Sequence, residues 1–372
     1  MKILIVDTYY QGFLNSFWKV NNDLKNKNYE QILNKLLSSG FGTSDFYSYN
    51  LKQIGHKTVD LVLNDDILQR KWALENNLDV DKANFFSKLQ NLPLIHKFIG
   101  RPNWVQKIAL AQIKKERPDV VYMQDLSILN PDTLKKVKKQ CKLLVGQIAC
   151  PLPAADCLKQ FDLIITSFPH YVKKFEKMGI KSEYLPLAFE PRVLKRVISK
   201  NKKYNVSFVG GISLSHIKGL KTLNYIADRI RLDVWGYGKK ILSKGSNLYK
   251  YHHGEAWAFD MYKLLSESKI TINRHIDVAE GYANNMRLFE ATGMGAMLIT
   301  DKKKNLSKLF NVGKEIIEYD NNSDLLDKIN YYLKHDKERV TIAEAGQKRT
   351  LNDYTYKRSM INLVKIIKKY MI

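Results

Sequence analysis

Short apolar stretches alternate with amphipathic stretches along most of this 372-residue chain. The apolar stretches are continuous, as are the buried strands of a parallel sheet, and the stretches between them have the helical period of about 3.6 residues. The alternation therefore predicts an α/β fold with parallel sheets. In the first half the predicted strands are Ile3–Val6, Val120–Met123, Leu143–Gln147, Leu163–Thr166 and Glu183–Pro186, whereas residues 20–100 show helical patterns and few strands.

A basic segment without a core pattern, RVLKRVISKNKKY after Pro191, has the composition of a connector. Beyond it the alternation resumes. We therefore predict a first domain over residues 1–190, a linker over 191–204 and a second domain over 205–352. The predicted strands of the second domain are Asn205–Val209, Asp233–Trp235, Ile270–Asn273, Met297–Thr300 and Ile316–Glu318, and the last predicted helices are Ser323–His335, Lys337–Leu351 and Tyr356–Met371.

One helix of the second domain has the groups that a nucleotide diphosphate needs. In NNMRLFEATGMGAMLITD, from Asn284 to Asp301, a loop leads into a short helix that carries Arg287 and Glu290 three residues apart. Free N–H groups at a helix N-terminus attract anions, an arginine binds a pyrophosphate, and a carboxylate binds the hydroxyls of a ribose. An ordinary surface ion pair explains these two residues equally well when they are taken alone.

Two glycine turns at strand ends are further candidates. Gly210-Gly211 ends one predicted strand, and Lys218 follows in the next helix, where it would neutralise a diphosphate. Gly236 and Tyr237 end the next strand, and the ring of Tyr237 would cover a nucleobase. The Gly210-Gly211 turn has neither the dinucleotide-binding nor the phosphate-loop fingerprint, and taken alone it is more often a plain turn. At Gly236 and Tyr237, a β-turn with a buried aromatic is an equal interpretation.

Candidate catalytic groups come from the carboxyl ends of the first-domain strands, where ligands bind in open α/β sheets. Asp7 follows the first strand, Asp125 follows the strand at 120–123, and His170 lies just beyond the strand at 163–166. A general base would be drawn from these three side chains.

Composition narrows the classes of protein and ligand. Lys and Arg number 61 against 37 Asp and Glu, which gives a net charge of +24. This charge favours anionic partners such as phosphorylated substrates, lipid headgroups or nucleic acid. An organism whose proteins are generally rich in lysine would give the same balance. The three cysteines lack disulfide or zinc spacing, so we expect no metal site. No apolar run is long enough for a membrane span, and MKILIV meets Asp7 too early for a signal peptide, so we expect a cytoplasmic protein.

Several segments together, in order and spacing, resemble the CgeB-like (spore-maturation-protein-type) glycosyltransferases, a group within the GT-B nucleotide-sugar transferases. The segments of the second half are KYNVSFVGG, DVWGYG, HHGEAWAFDMYKLLSESKITIN, NNMRLFEATGMGAMLITD, LFNVGKEIIEYD and AGQKRTLNDYTYKRSM. ERPDVVYMQD, FDLIITSFPHYVKKFEKMGI and YLPLAFEP match more loosely, so the resemblance covers roughly residues 116–360.

The resemblance implies two opposed Rossmann-like domains with a cleft between them, and a C-terminal helix, within 353–372, that packs back onto the first domain. Glu290 matches the glutamate that holds the donor ribose. Asn285 and Arg287 match positions beside the diphosphate, and Gly210-Gly211 with Lys218 match the phosphate-facing loop. One departure is Tyr282, where retaining families often carry a second glutamate; Glu280 is nearby, and the stereochemical outcome stays open.

The resemblance thus implies a metal-independent glycosyltransferase without a cofactor, whose donor is a nucleotide sugar, with UDP- or GDP-sugars favoured. The acceptor would be a glycan, a lipid-linked saccharide or a protein in cell-surface glycan biosynthesis. A lipid-linked acceptor would bring the basic surface, with a patch at Lys97, Arg101 and Trp104, to the inner face of an anionic membrane. Two alternatives stay open: a sugar-nucleotide epimerase, and a non-catalytic basic protein that binds polyanions. The sequence has no recognised nucleic-acid module, so we expect no nucleic-acid partner.

Overall fold

The computed structural model describes residues 1–80, 103–197, 199, 201–213 and 217–371, and for Ile217, Lys218 and Asp277 it describes the backbone alone. The chain divides into two compact units. The first comprises Met1–Leu185 together with Met360–Ile372, and the second comprises Pro186–Ser359.

Six parallel strands form the sheet of the first unit, in the order β2-β1-β3-β4-β5-β6. The central residues of the four inner strands are buried and largely apolar, as helix-covered parallel strands require, whereas the two edge strands are more exposed. The strands are β1 Lys2–Asp7, β2 Lys57–Val62, β3 Val120–Met123, β4 Leu143–Ile148, β5 Leu163–Thr166 and β6 Ser182–Tyr184. The helices are α1 Gln11–Val20, α2 Tyr29–Leu37, α3 Phe46–Gln53, α4 Asp66–Glu75, α5 Asn103–Glu116, α6 Pro131–Lys138, α7 Ala155–Leu158 and α8 Pro169–Lys177, with a 3-10 helix at Asn22–Asn26.

Five parallel strands form the sheet of the second unit, in the order β11-β10-β9-β7-β8. They are β7 Tyr204–Val209, β8 Asp233–Trp235, β9 Ser268–Asn273, β10 Met297–Asp301 and β11 Ile317–Tyr319. The helices are α9 Leu194–Val197, α10 Ile217–Ala227, α11 Asn247–Lys250, α12 Ala258–Ser266, α13 Met286–Gly293, α14 Leu306–Leu309, α15 Asn322–Lys334, α16 Asp336–Asp353 and α17 Tyr356–Tyr370, with 3-10 helices at Pro191–Val193, Lys239–Ile241 and Asp277–Ala279.

Each sheet has a point where the strand order reverses. In the first unit β1 lies between β2 and β3, and in the second unit β7 lies between β8 and β9. The connections on the two sides of such a strand leave in opposite directions, which opens a crevice at the carboxyl ends of the strands. Ligand sites are therefore expected at the end of β1 with β3 and at the end of β7 with β9.

The prediction of an α/β fold with two parallel sheets is confirmed, and ten predicted strands occur close to their expected positions. The strand β2, within residues 20–100, was not predicted. Residues 191–204, expected as a linker, carry short helices and cluster with the second unit.

The C-terminal helix α17 begins in the second unit, and its residues from Met360 onward cluster with the first. Leu363 and Ile367 are buried, whereas Lys365 and Lys368 on the opposite side are exposed. Among the described residues, no helix has both the length and the apolar character of a bilayer-spanning segment.

Candidate functional site

The N-terminus of α13 is fixed to the end of β9 by its capping residue. Asn285 accepts a hydrogen bond from the Leu288 N–H (3.2 Å) through Oδ1, as an N-cap side chain does. Its amide nitrogen donates to the Asn273 side chain (2.8 Å) and to the Arg274 carbonyl (3.1 Å), both at the end of β9. Asn285 thus positions the helix start at the reversal point of the second sheet.

Arg287 connects the same helix to the end of β7. Its Nε donates to the Val209 carbonyl at 2.9 Å, immediately before the Gly210-Gly211 turn. Its Nη1 lies 2.9 Å from Oε2 of Glu290, but this contact lacks hydrogen-bond geometry, and Nη1 has no acceptor among the described residues. A buried donor without an acceptor is costly, so this N–H is available for an anionic ligand.

Glu290 is the most enclosed of the predicted donor-binding residues, at 5% exposed. Burial raises the pKa of its carboxyl group, while the Arg287 charge and a long hydrogen bond from the Tyr262 hydroxyl (3.4 Å) act in the opposite direction. The predicted spacing therefore produces a buried ion pair, and the equal alternative of an ordinary surface pair is wrong.

The two predicted glycine turns lie side by side. The Gly210 N–H donates to the Trp235 carbonyl (2.9 Å), and the Ile212 N–H donates to the Tyr237 carbonyl (2.9 Å). Gly236 has φ +144°, and a Cβ there would collide with the Gly210 carbonyl. Glycine is therefore required where these backbones approach each other.

An aromatic pair borders these turns. The ring of Tyr237 lies against Gly211 so closely that a Cβ at Gly211 would collide with it. The rings of Tyr237 and Trp257 are nearly parallel, 18° apart, with their centroids separated by 6.5 Å. The indole N–H of Trp257 donates to Glu255 at 3.0 Å. Trp257 was not predicted as a site residue, although the segment HHGEAW that contains it was recognised in the sequence.

A charged cluster at the ends of β9 and β10 was also not predicted. Asp301 accepts hydrogen bonds from the backbone N–H of His275 (3.1 Å), and Nδ1 of the same histidine lies 2.7 Å from its carboxylate. Lys303 completes the cluster at 2.8 Å from Asp301, and these partners lower the pKa of Asp301 against the effect of its burial. The sequence signal was the position of His275 and Asp301 just beyond two adjacent strands.

In the first unit, Asp7 and Asp125 meet at the reversal point, as their positions after β1 and β3 predicted. Thr8 bridges them: its N–H donates to Asp7 (2.7 Å) and its hydroxyl donates to Asp125 (3.0 Å). Thr43 donates to the other oxygen of Asp7 at 3.1 Å. Burial raises the pKa of Asp7 to about 7, and the nearby Asp125 charge adds to the rise.

His170 does not join this pair. It lies in the first turn of α8, after β5, with its ring 5.1 Å from Phe168 and 4.8 Å from Tyr171. Since β5 is three strands away from β1 in the sheet, the two strand ends are about 14 Å apart at the usual strand spacing. The structure therefore groups His170 with aromatic side chains and not with Asp7.

Three further predictions concern charged surfaces and metals. The side chain of Lys218 lies outside the described residues, as do Lys97 and Arg101. Trp104 is 4% exposed, so its predicted place in a membrane-facing patch is wrong; its ring packs in the first unit beneath the Arg70 guanidinium. No cluster of three or more His, Cys, Asp or Glu suited to a metal ion occurs within the described part of the chain.

Comparison with protein families gives a match over much of the second unit and most of the C-terminal helix. Residues 217–365 match the family model described as glycosyl transferase-like, and this segment includes Tyr237, Arg287 and Glu290. The match confirms the prediction of an enzyme of the glycosyltransferase class. No curated protein matches the chain in sequence.

Solved structures share the fold over nearly the whole chain. Anabaena HepE in complex with UDP-glucose has a TM-score of 0.62 at 12% identity, covering 99% of this chain and 100% of that one. A glycosyltransferase from Rickettsia africae has a TM-score of 0.59 at 13% identity, covering 100% and 98%. Sucrose-phosphate synthase from Thermosynechococcus elongatus has a TM-score of 0.59 at 11% identity, covering 99% and 98%. These likenesses confirm the predicted GT-B class of fold.

Proposed function

We propose that this protein transfers a sugar from a nucleotide-sugar donor to a glycan, lipid-linked or protein acceptor in cell-surface glycan biosynthesis. The observation that carries the proposal is the placement of Arg287. Its guanidinium is held between α13 and the end of β7, at the reversal point of the second sheet, with one N–H group that has no acceptor among the described residues. A diphosphate supplies the acceptor and the negative charge that this group needs.

The second unit would bind the donor. Arg287 and the Gly211 N–H of the Gly210-Gly211 turn would contact the diphosphate, with Lys218 as a further cation. Glu290 would bind the ribose hydroxyls, and Tyr237 would stack on the base. The Anabaena structure with a similar fold contains UDP-glucose, so UDP-sugars are the first donors to test and GDP-sugars the second.

Asp7 of the first unit is the proposed general base. A proton leaves the acceptor hydroxyl as its oxygen bonds to the anomeric carbon, while the bond from that carbon to the nucleotide diphosphate breaks. A carboxyl with a pKa of about 7 is suited to accepting that proton near neutral pH. We propose that Arg287 and backbone N–H groups stabilise the departing diphosphate without a metal ion, so transfer should persist in a chelator such as EDTA.

Within this class we propose the CgeB-like group, acting in the cytoplasm or at the inner face of the membrane. The support for a membrane-linked acceptor is charge: α17 buries its apolar side and exposes Lys365, Lys368 and Lys369. Such a face attracts anionic headgroups without inserting into the bilayer.

Calorimetric titration with UDP, UDP-sugars and GDP-sugars tests the donor site. Arg287→Ala should weaken UDP binding about 100-fold, because an anion loses its cation in an enclosed site. Arg339→Ala is the control, since the Arg339 side chain is more enclosed than that of Arg287 (6% against 16% exposed) and pairs with Asp336 at the same three-residue spacing. It should leave UDP affinity unchanged. Equal losses in both variants, or no nucleotide binding by the wild-type protein, would overturn the proposal.

Product analysis separates the remaining enzyme alternative. A transferase given a bound nucleotide sugar and no acceptor releases at most free sugar, whereas an epimerase returns a changed nucleotide sugar. A polyanion-binding protein would instead bind oligonucleotides with an affinity that falls steeply with salt and does not depend on Glu290.

A further inference from the structure

A cavity of about 470 Å³ lies in the first unit, and neither Asp7 nor Asp125 lines it. One wall is a face of α1 that carries Gln11, Asn15 and Trp18, which are spaced at helical intervals. The other walls are the 3-10 helix at Asn22–Asn26 and the turn from Asn64 to Asp66 between β2 and α4. Its volume is in the range of small-molecule sites.

The walls of this cavity are held in place by partly buried hydrogen bonds. The indole N–H of Trp18 donates to Asp65 at 2.9 Å, and Asp65 is 2% exposed and also caps α4. Asn64 accepts from the Tyr9 N–H (2.8 Å) and donates to the Tyr9 carbonyl (2.7 Å), which ties the cavity wall to the loop that follows β1. The indole and the amide are therefore positioned before any ligand binds.

The chemistry of the lining matches a polyhydroxylated, uncharged ligand. Amides both donate and accept hydrogen bonds, as sugar hydroxyls do, and four amide side chains line the cavity. Trp18 and Ile67, which are half-buried, offer apolar surface for the C–H groups of a sugar ring. The cavity has two lysines, Lys19 and Lys25, and two acidic residues, Asp65 and Asp66, of which Asp66 also pairs with Arg70. Asp65 itself accepts the N–H groups at the start of α4, so that helix end does not offer them to a phosphate.

We propose that this cavity binds a neutral sugar unit of the acceptor, other than the unit that carries the reacting hydroxyl. The proposal rests on the glycosyltransferase function proposed above. Asp7 does not line the cavity, so the sugar unit bound there would not be the one that carries the reacting hydroxyl. The hydrogen bonds between Asn64 and Tyr9 connect the cavity wall to the loop after β1, so one acceptor could reach both places. An acceptor of two or more sugar units would then be preferred over a monosaccharide.

The test measures the binding of neutral disaccharides such as lactose, cellobiose and chitobiose in the absence of any nucleotide. Saturation-transfer NMR detects the binding and calorimetry gives its affinity. Asn15→Ala and Trp18→Ala should each weaken binding at least about tenfold, while UDP affinity stays constant. Ser16→Ala is the control, because Ser16 is exposed on α1 next to Asn15 but does not line the cavity. Asn15 is exposed, so its variant keeps the test valid if Trp18→Ala unfolds the unit.

The outcomes distinguish this proposal from the proposed function. A protein that binds UDP but none of the disaccharides, or that binds a disaccharide equally well in all three variants, overturns the sugar cavity alone. Displacement of the disaccharide by inorganic phosphate or UDP also overturns it. A protein that binds a disaccharide in the expected way but no nucleotide sugar contradicts the glycosyltransferase function instead.

Discussion

Both units place carboxylates near their reversal points but surround them with different groups. In the second unit, Glu290 has the Arg287 guanidinium at 2.9 Å, and Asp301 has Lys303 at 2.8 Å. In the first unit, Asp7 is held by the hydroxyl and N–H groups of Thr43 and Thr8, and within the described part of the chain no Lys or Arg side chain pairs with it.

This difference separates two kinds of chemistry. A cation beside a carboxylate opposes the effect of burial on the carboxyl pKa: Arg287 offsets that effect only in part at Glu290, whereas the partners of Asp301 reverse it. The Arg287 cation can also bind an anionic ligand, so the second unit is suited to holding a diphosphate. A buried carboxyl group without a cation keeps its proton up to a higher pH, so the first unit is suited to proton transfer. The predictions below test whether each reversal point has the role that its charges indicate.

The largest effect is expected for Asp7→Asn. An amide keeps the size and hydrogen bonds of the side chain but cannot accept the proton, so kcat should fall by about 10²–10⁴-fold. In the wild type, kcat/KM should rise with pH through about 7 and then level off, and the variant should lose this limb. Steady-state rates from pH 5 to pH 9 measure both effects.

Asp7→Asn should lower the rate but raise the free energy of unfolding above pH 7. Between pH 4 and pH 7 folded Asp7 retains a proton that the unfolded chain releases, so stability falls as pH rises through this window and is constant above it. Asp7→Asn removes this loss and should be up to about 4 kcal/mol more stable at pH 8, with little change at pH 4. Chemical denaturation at the two pH values measures it.

Asp60→Asn is the matched control for Asp7→Asn. Asp60 is half-buried and its pKa is also raised to about 7 by burial, but it lies within β2 and not at the carboxyl end of a strand. Its variant should gain stability at pH 8 and keep its rate. If both variants lose activity to the same extent, the role proposed for Asp7 is wrong.

The next largest effect is expected at the glycine turns of the second unit, where two backbones approach each other. Gly236→Ala places a Cβ against the Gly210 carbonyl at φ +144° and should cost about 1–3 kcal/mol of unfolding free energy, with at least a tenfold loss of UDP affinity. Gly245→Ala should be nearly neutral, because a Cβ there has no atom within 4 Å. Thermal melts and calorimetry compare the two; an unchanged UDP affinity in Gly236→Ala would remove the turn from the donor site.

The strands were predictable because buried parallel strands are short continuous apolar runs, and β3, β5 and β8 match their predicted bounds. The strand β2, KTVDLV, was missed because it is an edge strand in which Lys57 and Asp60 interrupt the apolar pattern. Local sequence carries no signal for an edge strand whose partner, β1, lies about fifty residues earlier.

Contacts in the site were predictable from the sequence where both residues lie on one helix or at one edge of a sheet. The spacing of Arg287 and Glu290 predicted their ion pair, and the carboxyl-end rule brought Asp7 to Asp125. Contacts across the sheet were not predictable: the Arg287 bond to Val209 joins residues 78 positions apart, and only the strand order shows that His170 is remote from Asp7.

The smallest effect is expected at the aromatic pair. Tyr237→Leu removes a ring that lies over the Gly211 backbone and should weaken UDP binding by about 1–2 kcal/mol, which is the contribution of one stacked base. Binding of inorganic pyrophosphate, which has no base, should not change. Tyr237→Phe keeps the ring and should retain UDP affinity, and Tyr331→Leu, at an exposed tyrosine on α15 of the same unit, is the control for loss of a surface ring. An equal loss for UDP and pyrophosphate would mean that Tyr237 supports the Gly210-Gly211 turn and does not contact the base.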